Sequence, residues 1–188
     1  MTVIPHYING AQVHESGTLP VFNPATGEVH AEVPVASPDV IATTLHSASS
    51  AAILWGSSSL SQRSAILFRF RELLVQHTDE LAAIITTEQG KTLADARGEL
   101  ARGLENVEYA CGLIEHLKGD FSSGVADGVD VHSLREPVGV VLAVTPFNFP
   151  AMVPLWMLAN AVASGNAVIV KPSERDPSAA VRLAELWT

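Results

Sequence analysis

Two short stretches of the sequence place polar residues directly after an apolar run. TPFNFP, residues 145–150, follows VGVVLAV and contains a single amide side chain, Asn148. KPSER, residues 171–175, follows AVIV and brings Lys171 and Glu174 close together. A carboxylate in such a place suits the hydroxyls of a ribose, and a neighbouring lysine can reach hydroxyls or phosphate. The two stretches therefore indicate a nucleotide site, provided that the fold brings them together.

The strands and the helix predicted around these stretches indicate that the fold brings them together. Residues 138–144 are continuously apolar, which is typical of a parallel strand covered on both faces. Residues 151–163 predict a buried helix that accepts Pro154 in its first turn, and residues 167–170 predict a second buried strand. Strand, helix and strand form a right-handed βαβ unit of an α/β protein. Ligands of such sheets bind outside the carboxyl ends of the strands.

The preceding chain predicts short strands and then helices. Residues 1–35 alternate short apolar runs with turn signals, which favours strands. Four helices are predicted to start at Ser37-Pro38, Leu60, Thr78 and Thr92, the third ending at Gly90 and the last near Gly119. The first has an apolar face formed by Ile41, Leu45, Ala48, Ala52 and Trp55. Residues 121–136 predict a loop and an extended strand outside the main sheet.

The composition narrows the class of protein. Hydrophobic residues make up 47% of the 188-residue chain and charged residues 16%, which excludes a disordered or fibrous protein. The net charge of −9 argues against nucleic acid or an anionic membrane as a partner. The single cysteine, Cys111, excludes an intramolecular disulfide framework and fits a reducing cytosol, so we expect a cytoplasmic protein. Because Cys111 lies on an apolar helical stripe, we interpret it as a small buried hydrophobe.

The sequence lacks the signals of several other kinds of protein. Residues 137–170 contain no charged residue or histidine, but prolines, glycine and asparagines interrupt them too often for a membrane-spanning helix. The seven histidines show no paired ligand spacing, so we expect no metal site. The G-x-S-x-G elbow of serine hydrolases is missing, as is the G-x-G-x-x-G turn of common dinucleotide-binding folds.

The two polar stretches resemble the aldehyde dehydrogenase superfamily, whose members carry a P-[WF]-N-[FY]-P turn followed by K-P-S-E at this separation. The continuation PAMVPLWM, with EQGKT and ARGLENVEYA upstream, resembles the CoA-acylating methylmalonate-semialdehyde (malonate-semialdehyde) dehydrogenases. The resemblance begins with YINGAQV and FNPATGEV and covers essentially the whole chain. It implies an α/β fold, the N-terminal part of a Rossmann-like NAD-binding domain with preceding helices and an oligomerisation strand segment.

The resemblance also implies roles for particular residues. Asn148 matches the side-chain donor of the oxyanion hole, whose neutral amide donates to the aldehyde oxygen without titrating. Thr145 and Phe147 match positions along the nicotinamide side of NAD. The adenosine-ribose contacts correspond to Lys171 and Glu174, where a carboxylate on the 2′-hydroxyl favours NAD over NADP.

Two arginines complete the set of implied site residues. Arg175 matches a further cofactor-site position of the subfamily. Arg102 matches the arginine that holds the carboxylate of the substrate, which a guanidinium can grip through two hydrogen bonds.

Each of these roles has a simpler alternative. Asn148 could be a turn asparagine that bonds its own backbone. Lys171 and Glu174 could form an ordinary surface ion pair at a strand end. Arg102 lies off the apolar stripe of its helix and could be a solvated helix arginine.

The superfamily reaction also needs a cysteine thiolate, which this sequence does not supply. The thiolate attacks the aldehyde and, after oxidation by NAD⁺, carries an acyl group that coenzyme A accepts in the acylating subfamily. In the family this cysteine lies well downstream of K-P-S-E, and Cys111 matches no nucleophile motif. The 188-residue chain is therefore predicted to be inactive by itself. A sheet stopped after two core strands also predicts self-association through its open edge.

The resemblance divides the chain into three parts. Residues 1–120 form strands and helices of the NAD-binding domain, residues 121–137 the oligomerisation strand segment, and residues 138–188 the first, truncated βαβ unit. Three functions stay open at this point. The first is a portion of an acylating semialdehyde dehydrogenase that forms homo-oligomers. The second is a portion of a CoA-independent aldehyde dehydrogenase, in which tryptophan before the asparagine is more usual. The third is a non-catalytic assembly module.

Overall fold

The computed structural model describes residues 2–187, which contain six α-helices, one short 3-10 helix and nine strands in four small sheets. The strands are β1 Thr2–Val3, β2 His6–Ile8, β3 Ala11–Val13, β4 Thr18–Phe22, β5 Val29–Pro34, β6 Phe121–Ala126, β7 Val129–His132, β8 Val140–Val144 and β9 Ala167–Lys171. The α-helices are α1 Pro38–Gly56, α2 Leu60–Gln76, α3 Thr78–Gln89, α4 Leu93–Cys111, α5 Met152–Ala163 and α6 Ser178–Leu186.

The N-terminal region consists of short strands, as its turn signals predict. β2 and β3 pair antiparallel around Asn9 and Gly10, whose φ angles are 51° and 77°. β5 lies between β1 and β4 in a separate three-stranded sheet. Val21 and Ala31, which are 0% and 1% exposed, form a small core with Ile4 beneath this sheet.

The predicted helix boundaries are confirmed where the chain carries capping residues. Ser37 accepts a hydrogen bond from the backbone of Val40 at the start of α1, and Ser59 caps α2. α3 ends at Gly90, whose φ of 87° is the left-handed conformation that glycine adopts without strain. Helices α2 to α6 then enclose the main core, whose fully buried side chains include Leu67, Leu81, Ile85, Val107, Leu155 and Leu183.

One helix end differs from its prediction, and one predicted apolar face has no cover among the described residues. The apolar face of α1 is not buried within the described chain, since Ile41 and Leu45 remain 50% and 51% exposed. Periodicity identifies an apolar face but not the element that covers it. The helix from Thr92 ends at Cys111 rather than near Gly119. The N–H of Gly112 bonds the carbonyls of the last turn, and the chain continues as the 3-10 helix Leu113–His116.

Residues 121–136 also differ from the prediction of a loop followed by one strand. β6 and β7 form an antiparallel hairpin that is separate from the other sheets. The hairpin turns at Asp127-Gly128, where Gly128 has a φ of 73°, and Asp-Gly is a strong signal for such a turn. Every residue of both strands is exposed.

β8 and β9 are the two predicted core strands, and they run parallel as expected. Their register pairs Val140 with Ala167 and Val144 with Lys171, and α5 connects them. The prediction that the first strand is covered on both faces is wrong. Ala143 is 1% exposed, whereas Leu142 is 63% exposed. Coverage on both faces requires elements that extend across the strand, and in the described part of the chain this sheet has two strands.

Candidate functional site

The two polar segments start at the same edge of the β8–β9 sheet. Val144 and Lys171 are direct partners in the parallel register, so both strands end at the same level. The backbone N–H of Thr145 extends this ladder by donating to the carbonyl of Lys171 over 3.1 Å. The structure therefore places both segments at the carboxyl edge of a parallel sheet, where folds of this type bind ligands.

The segment after β8 presents its polar groups in two different environments. Thr145 is 4% exposed, and its hydroxyl has no hydrogen-bond partner among residues 2–187. Asn148 is exposed, and within residues 2–187 only its backbone carbonyl is hydrogen-bonded, by the ammonium of Lys91 over 3.0 Å. Its side-chain amide forms no hydrogen bond within the described chain, in contrast to Asn23, whose side chain accepts from the backbone of Ala25. Asn148 thus leaves its amide available to a ligand.

The segment after β9 carries three exposed charges. The ammonium of Lys171 lies 3.6 Å from a carboxylate oxygen of Glu174, and both side chains are more than half exposed. In the chain as described, these two residues therefore form the surface ion pair that was the simpler alternative. The pKa of Glu174 is lowered, first by a backbone hydrogen bond and then by Lys171, so its carboxylate is ionised at neutral pH.

A contact between aromatic ring and guanidinium joins the two segments. The guanidinium carbon of Arg175 lies 4.8 Å from the centre of the Phe147 ring. This distance is within the range of a cation–π interaction. Together with the strand register, it places six of the seven predicted site residues, all except Arg102, at one edge of the sheet.

Arg102 lies apart from this edge. Its side chain on α4 is 71% exposed and reaches Glu105 over 3.4 Å, which is a weak surface pair. Its backbone carbonyl accepts from the indole of Trp156 on α5 over 3.4 Å. Within the described residues, no contact links the guanidinium of Arg102 to Asn148.

Sequence reasoning missed a buried ion pair beneath the first segment. The ammonium of Lys91 lies 2.6 Å from Glu99, whose side chain is 1% exposed. The other oxygen of Glu99 accepts the backbone N–H groups of Ala151 and Met152 over 2.8 and 3.0 Å. A signal was present in the sequence, because Glu99 lies three positions after Ala96 and beside Leu100 on the predicted apolar stripe of α4.

Two further carboxylates are buried near this ion pair. Asp176 is 2% exposed, and neither oxygen has a hydrogen-bond partner in the described part of the chain. Burial, and then the charges of Glu88 and Glu99, raise the pKa of Asp176 to about 7. Burial also raises the pKa of Glu88, although Ser178 bonds its carboxylate through both its backbone N–H and its hydroxyl.

Cys111 has the environment of a core residue. It is 3% exposed within the helical core, and its thiol is unpaired. Burial raises the pKa of this thiol, which disfavours the thiolate that a nucleophile requires.

The architecture and the position of the polar segments define the class of protein. It is an α/β protein with a parallel strand pair whose carboxyl edge gathers an exposed amide, a carboxylate and two cations. The aldehyde dehydrogenase family model matches residues 12–188, and the chain therefore belongs to the aldehyde dehydrogenase family.

Curated relatives refine this similarity. The chain is 47% identical over its whole length to a malonate-semialdehyde dehydrogenase of Pseudomonas aeruginosa, of which it spans 38%. It is 45% identical, over 97% of its length, to the acylating mitochondrial methylmalonate-semialdehyde dehydrogenase of Arabidopsis thaliana, of which it spans 30%.

Solved structures agree with these relatives. The crystal structure of a methylmalonate-semialdehyde dehydrogenase from Oceanimonas doudoroffii is 48% identical, and the whole chain superposes on 38% of it with a TM-score of 0.97. A Sinorhizobium meliloti protein assigned to the same activity and complexed with NAD is 43% identical, with a TM-score of 0.96 over 38% of that chain. No helix among residues 2–187 is long and apolar enough to cross a membrane.

Proposed function

We propose that this chain supplies the oxyanion donor and part of the NAD site of an acylating aldehyde dehydrogenase. The proposed enzyme oxidises malonate or methylmalonate semialdehyde and transfers the acyl group to coenzyme A with loss of CO₂. The observation that carries the proposal is the meeting of Asn148, Lys171 and Glu174 at one carboxyl edge of the β8–β9 sheet. In support, one relative is named a malonate-semialdehyde dehydrogenase and another an acylating methylmalonate-semialdehyde dehydrogenase.

The exposed residues fit one half of NAD. The Lys171–Glu174 pair is open to solvent and 3.6 Å long, so it is worth about 1 kcal/mol or less. Ribose hydroxyls can therefore displace it, donating to the ionised carboxylate and accepting from the ammonium. The same carboxylate repels a 2′-phosphate, which favours NAD over NADP.

The buried hydroxyl of Thr145 and the exposed ring of Phe147 suit the nicotinamide end of the same cofactor. The unpartnered hydroxyl offers a donor and an acceptor at the strand end. When bound, NAD⁺ accepts a hydride from the carbon that is oxidised. The residues of this chain bind and orient the cofactor, while the amide of Asn148 donates to the aldehyde oxygen as negative charge builds on it.

The proposal assigns the nucleophile to residues outside this sequence. Cys111 is the only cysteine, and it is buried in the helical core. We therefore propose that the chain alone oxidises no aldehyde, and that Arg102 meets the substrate carboxylate only in the complete enzyme. The lone thiol agrees with a reducing cytoplasm. We also propose that the chain consists of three parts, residues 1–120, 121–137 and 138–188.

A graft tests this function directly. The chain replaces the corresponding 38% of the Pseudomonas aeruginosa relative, and NADH formation from malonate semialdehyde is measured with and without coenzyme A. We expect no NADH from the chain alone and CoA-dependent turnover from the graft. Turnover by the chain alone, or a folded but inactive graft, contradicts the proposal. Turnover that needs no coenzyme A supports the CoA-independent alternative.

One substitution in the graft examines the oxyanion role. Asn148→Ala removes the donor and is expected to lower kcat about 100- to 1000-fold. Asn23→Ala, which removes a turn asparagine from the N-terminal region, is the matched control and leaves kcat unchanged. Equal kcat values for the two variants refute the role of Asn148.

Assembly is a second function that a specific observation favours. The β6–β7 hairpin exposes Phe121, Val125, Val129 and Val131 by 45–67%, and its outer edges are unpaired within the described chain. Exposed apolar residues on an open strand edge favour pairing with another chain. We propose that the hairpin joins copies of this chain into a homo-oligomer.

A further inference from the structure

The turn that carries Asn148 rests on the buried Lys91–Glu99 ion pair. Lys91 follows the glycine that ends α3, and Glu99 lies in the second turn of α4. Their side chains are 14% and 1% exposed, and the nitrogen–oxygen distance is 2.6 Å. A buried pair of this kind is geometrically specific, because neither partner can move without leaving the other charge uncompensated.

Glu99 holds the far end of the turn. Helix α5 has no capping side chain of its own, since Ala151 stands at its N-cap position. One oxygen of Glu99 accepts the N–H groups of Ala151 and Met152 over 2.8 and 3.0 Å. These groups have no partner within their own helix, and a carboxylate at this position also suits the helix dipole.

Lys91 holds the near end of the turn. Its ammonium donates to the backbone carbonyl of Asn148 over 3.0 Å and lies 4.6 Å from the centre of the Phe149 ring. The carbonyl and the side-chain amide of Asn148 share one α-carbon. Fixing the carbonyl therefore limits the directions in which the amide can point.

We propose that the Lys91–Glu99 pair is a positioning device that holds the backbone of Asn148 so that its amide meets the aldehyde oxygen. This inference rests on the proposed function for its catalytic consequence. Neither residue touches the substrate in this proposal. Lys91 acts through the carbonyl of Asn148, and Glu99 acts through Lys91 and the first turn of α5.

Three variants of the graft separate positioning from simple stability. Lys91→Met removes the bond to Asn148 and leaves Glu99 as an uncompensated charge. Glu99→Gln still accepts from Ala151 and Met152, but its amide nitrogen faces the ammonium of Lys91, so two donors oppose each other. The double variant, Lys91→Met with Glu99→Gln, contains neither charge, so no charge is left uncompensated. The bond to the carbonyl of Asn148 is still missing.

The expected result is a separation of stability from turnover. Each single variant lowers the thermal midpoint and lowers kcat at least tenfold, with the KM for NAD⁺ changed less than twofold. The double variant recovers most of the thermal midpoint, but its kcat stays at least tenfold low. Recovery of both quantities in the double variant shows a purely structural role and overturns the proposal. Lys118→Met, which breaks an exposed Lys–Glu pair, is the matched control and changes neither quantity.

Hydrogen–deuterium exchange in the 188-residue chain gives a readout that needs no activity. Lys91→Met is expected to speed exchange at least fivefold in a peptide covering residues 146–153, with peptides from α2 unchanged. Unchanged exchange in that peptide, or equally faster exchange in both, overturns the proposal. An inactive wild-type graft refutes the proposed function alone, and the exchange measurement then still decides whether the pair holds the turn.

Discussion

The helical layer and the β8–β9 sheet form neighbouring parts of the chain but differ in completeness. In the helical layer, Leu67, Leu81 and Leu155 are fully buried among side chains from several helices. In the sheet, Leu142 and Val144 are 63% and 58% exposed. The candidate site lies at the sheet edge, yet the contacts to its turn come from Lys91, which lies between α3 and α4, and from Glu99 on α4. The sheet therefore sets the location of the site, whereas residues of the helical layer contact its turn.

The largest expected effect comes from comparing one leucine in each region. Leu155→Ala leaves a cavity in the helical core and is expected to lower the free energy of unfolding by about 2–5 kcal/mol. Leu142→Ala on the exposed strand face is expected to change it by less than about 0.5 kcal/mol. Urea unfolding of the chain, followed by circular dichroism, measures both values. Equal losses would mean that the sheet face is as well packed as the core.

The second effect concerns the buried carboxylate of Asp176. Its pKa, raised from 3.8 to about 7, means that the folded chain binds a proton more tightly than the unfolded chain. Ionisation of Asp176 therefore destabilises the folded chain. This destabilisation is absent below about pH 4, grows between pH 4 and pH 7, and is complete above pH 7. A shift of this size limits the destabilisation to about 4 kcal/mol.

Asp176→Asn is therefore expected to stabilise the chain above pH 7. We expect a gain of about 2 kcal/mol at pH 8, because the new amide is also buried without a partner. The gain should vanish near pH 4. Urea unfolding across this range measures it, with Asp127→Asn in the exposed hairpin turn as a control. A gain that is independent of pH would show that ionisation is not its cause.

The third prediction extends the comparison to the hairpin, the most exposed element of the chain. Replacing Val129 and Val131 with lysine puts charges on its apolar face, and strands with charged edges resist pairing. We expect at least a tenfold weaker self-association, measured by light scattering between 1 and 100 micromolar (about 1.4 kcal/mol). Leu134→Lys, which is 76% exposed outside the hairpin, is the control. An unchanged mass in the double variant would place the association elsewhere.

The smallest effect concerns the contact between the two site segments. Arg175→Met removes the cation–π contact with Phe147 and is expected to cost about 0.5–1 kcal/mol of unfolding free energy. In a Phe147→Leu background, Arg175→Met should cause no further loss of unfolding free energy. A double-mutant cycle by urea unfolding provides the comparison. Additive losses would mean that the two side chains do not interact.

Much of the fold could be predicted because its signals are local. Ser37, Gly90 and the Pro154 first turn marked helix ends through contacts within a few residues. The apolar run before Thr145 and the one before Lys171 predicted a parallel pair, and the structure confirms it. The sequence analysis predicts a loop and one strand where the structure has a hairpin, because Gly124 favours a loop and outweighs the turn signal of Asp127-Gly128.

The sequence alone was enough to predict where α1 to α4 begin, the βαβ unit and the residue types at its two strand ends, but not where α4 ends. Tertiary structure alone decided what holds those residues, because the partners are distant in sequence. Lys91 and Asn148 are 57 residues apart, and Glu99 and Ala151 are 52 apart. No local pattern encodes such a pairing, and the apolar face of α1 shows the same limit. Periodicity states which side chains avoid water, whereas burial depends on what the fold places against them.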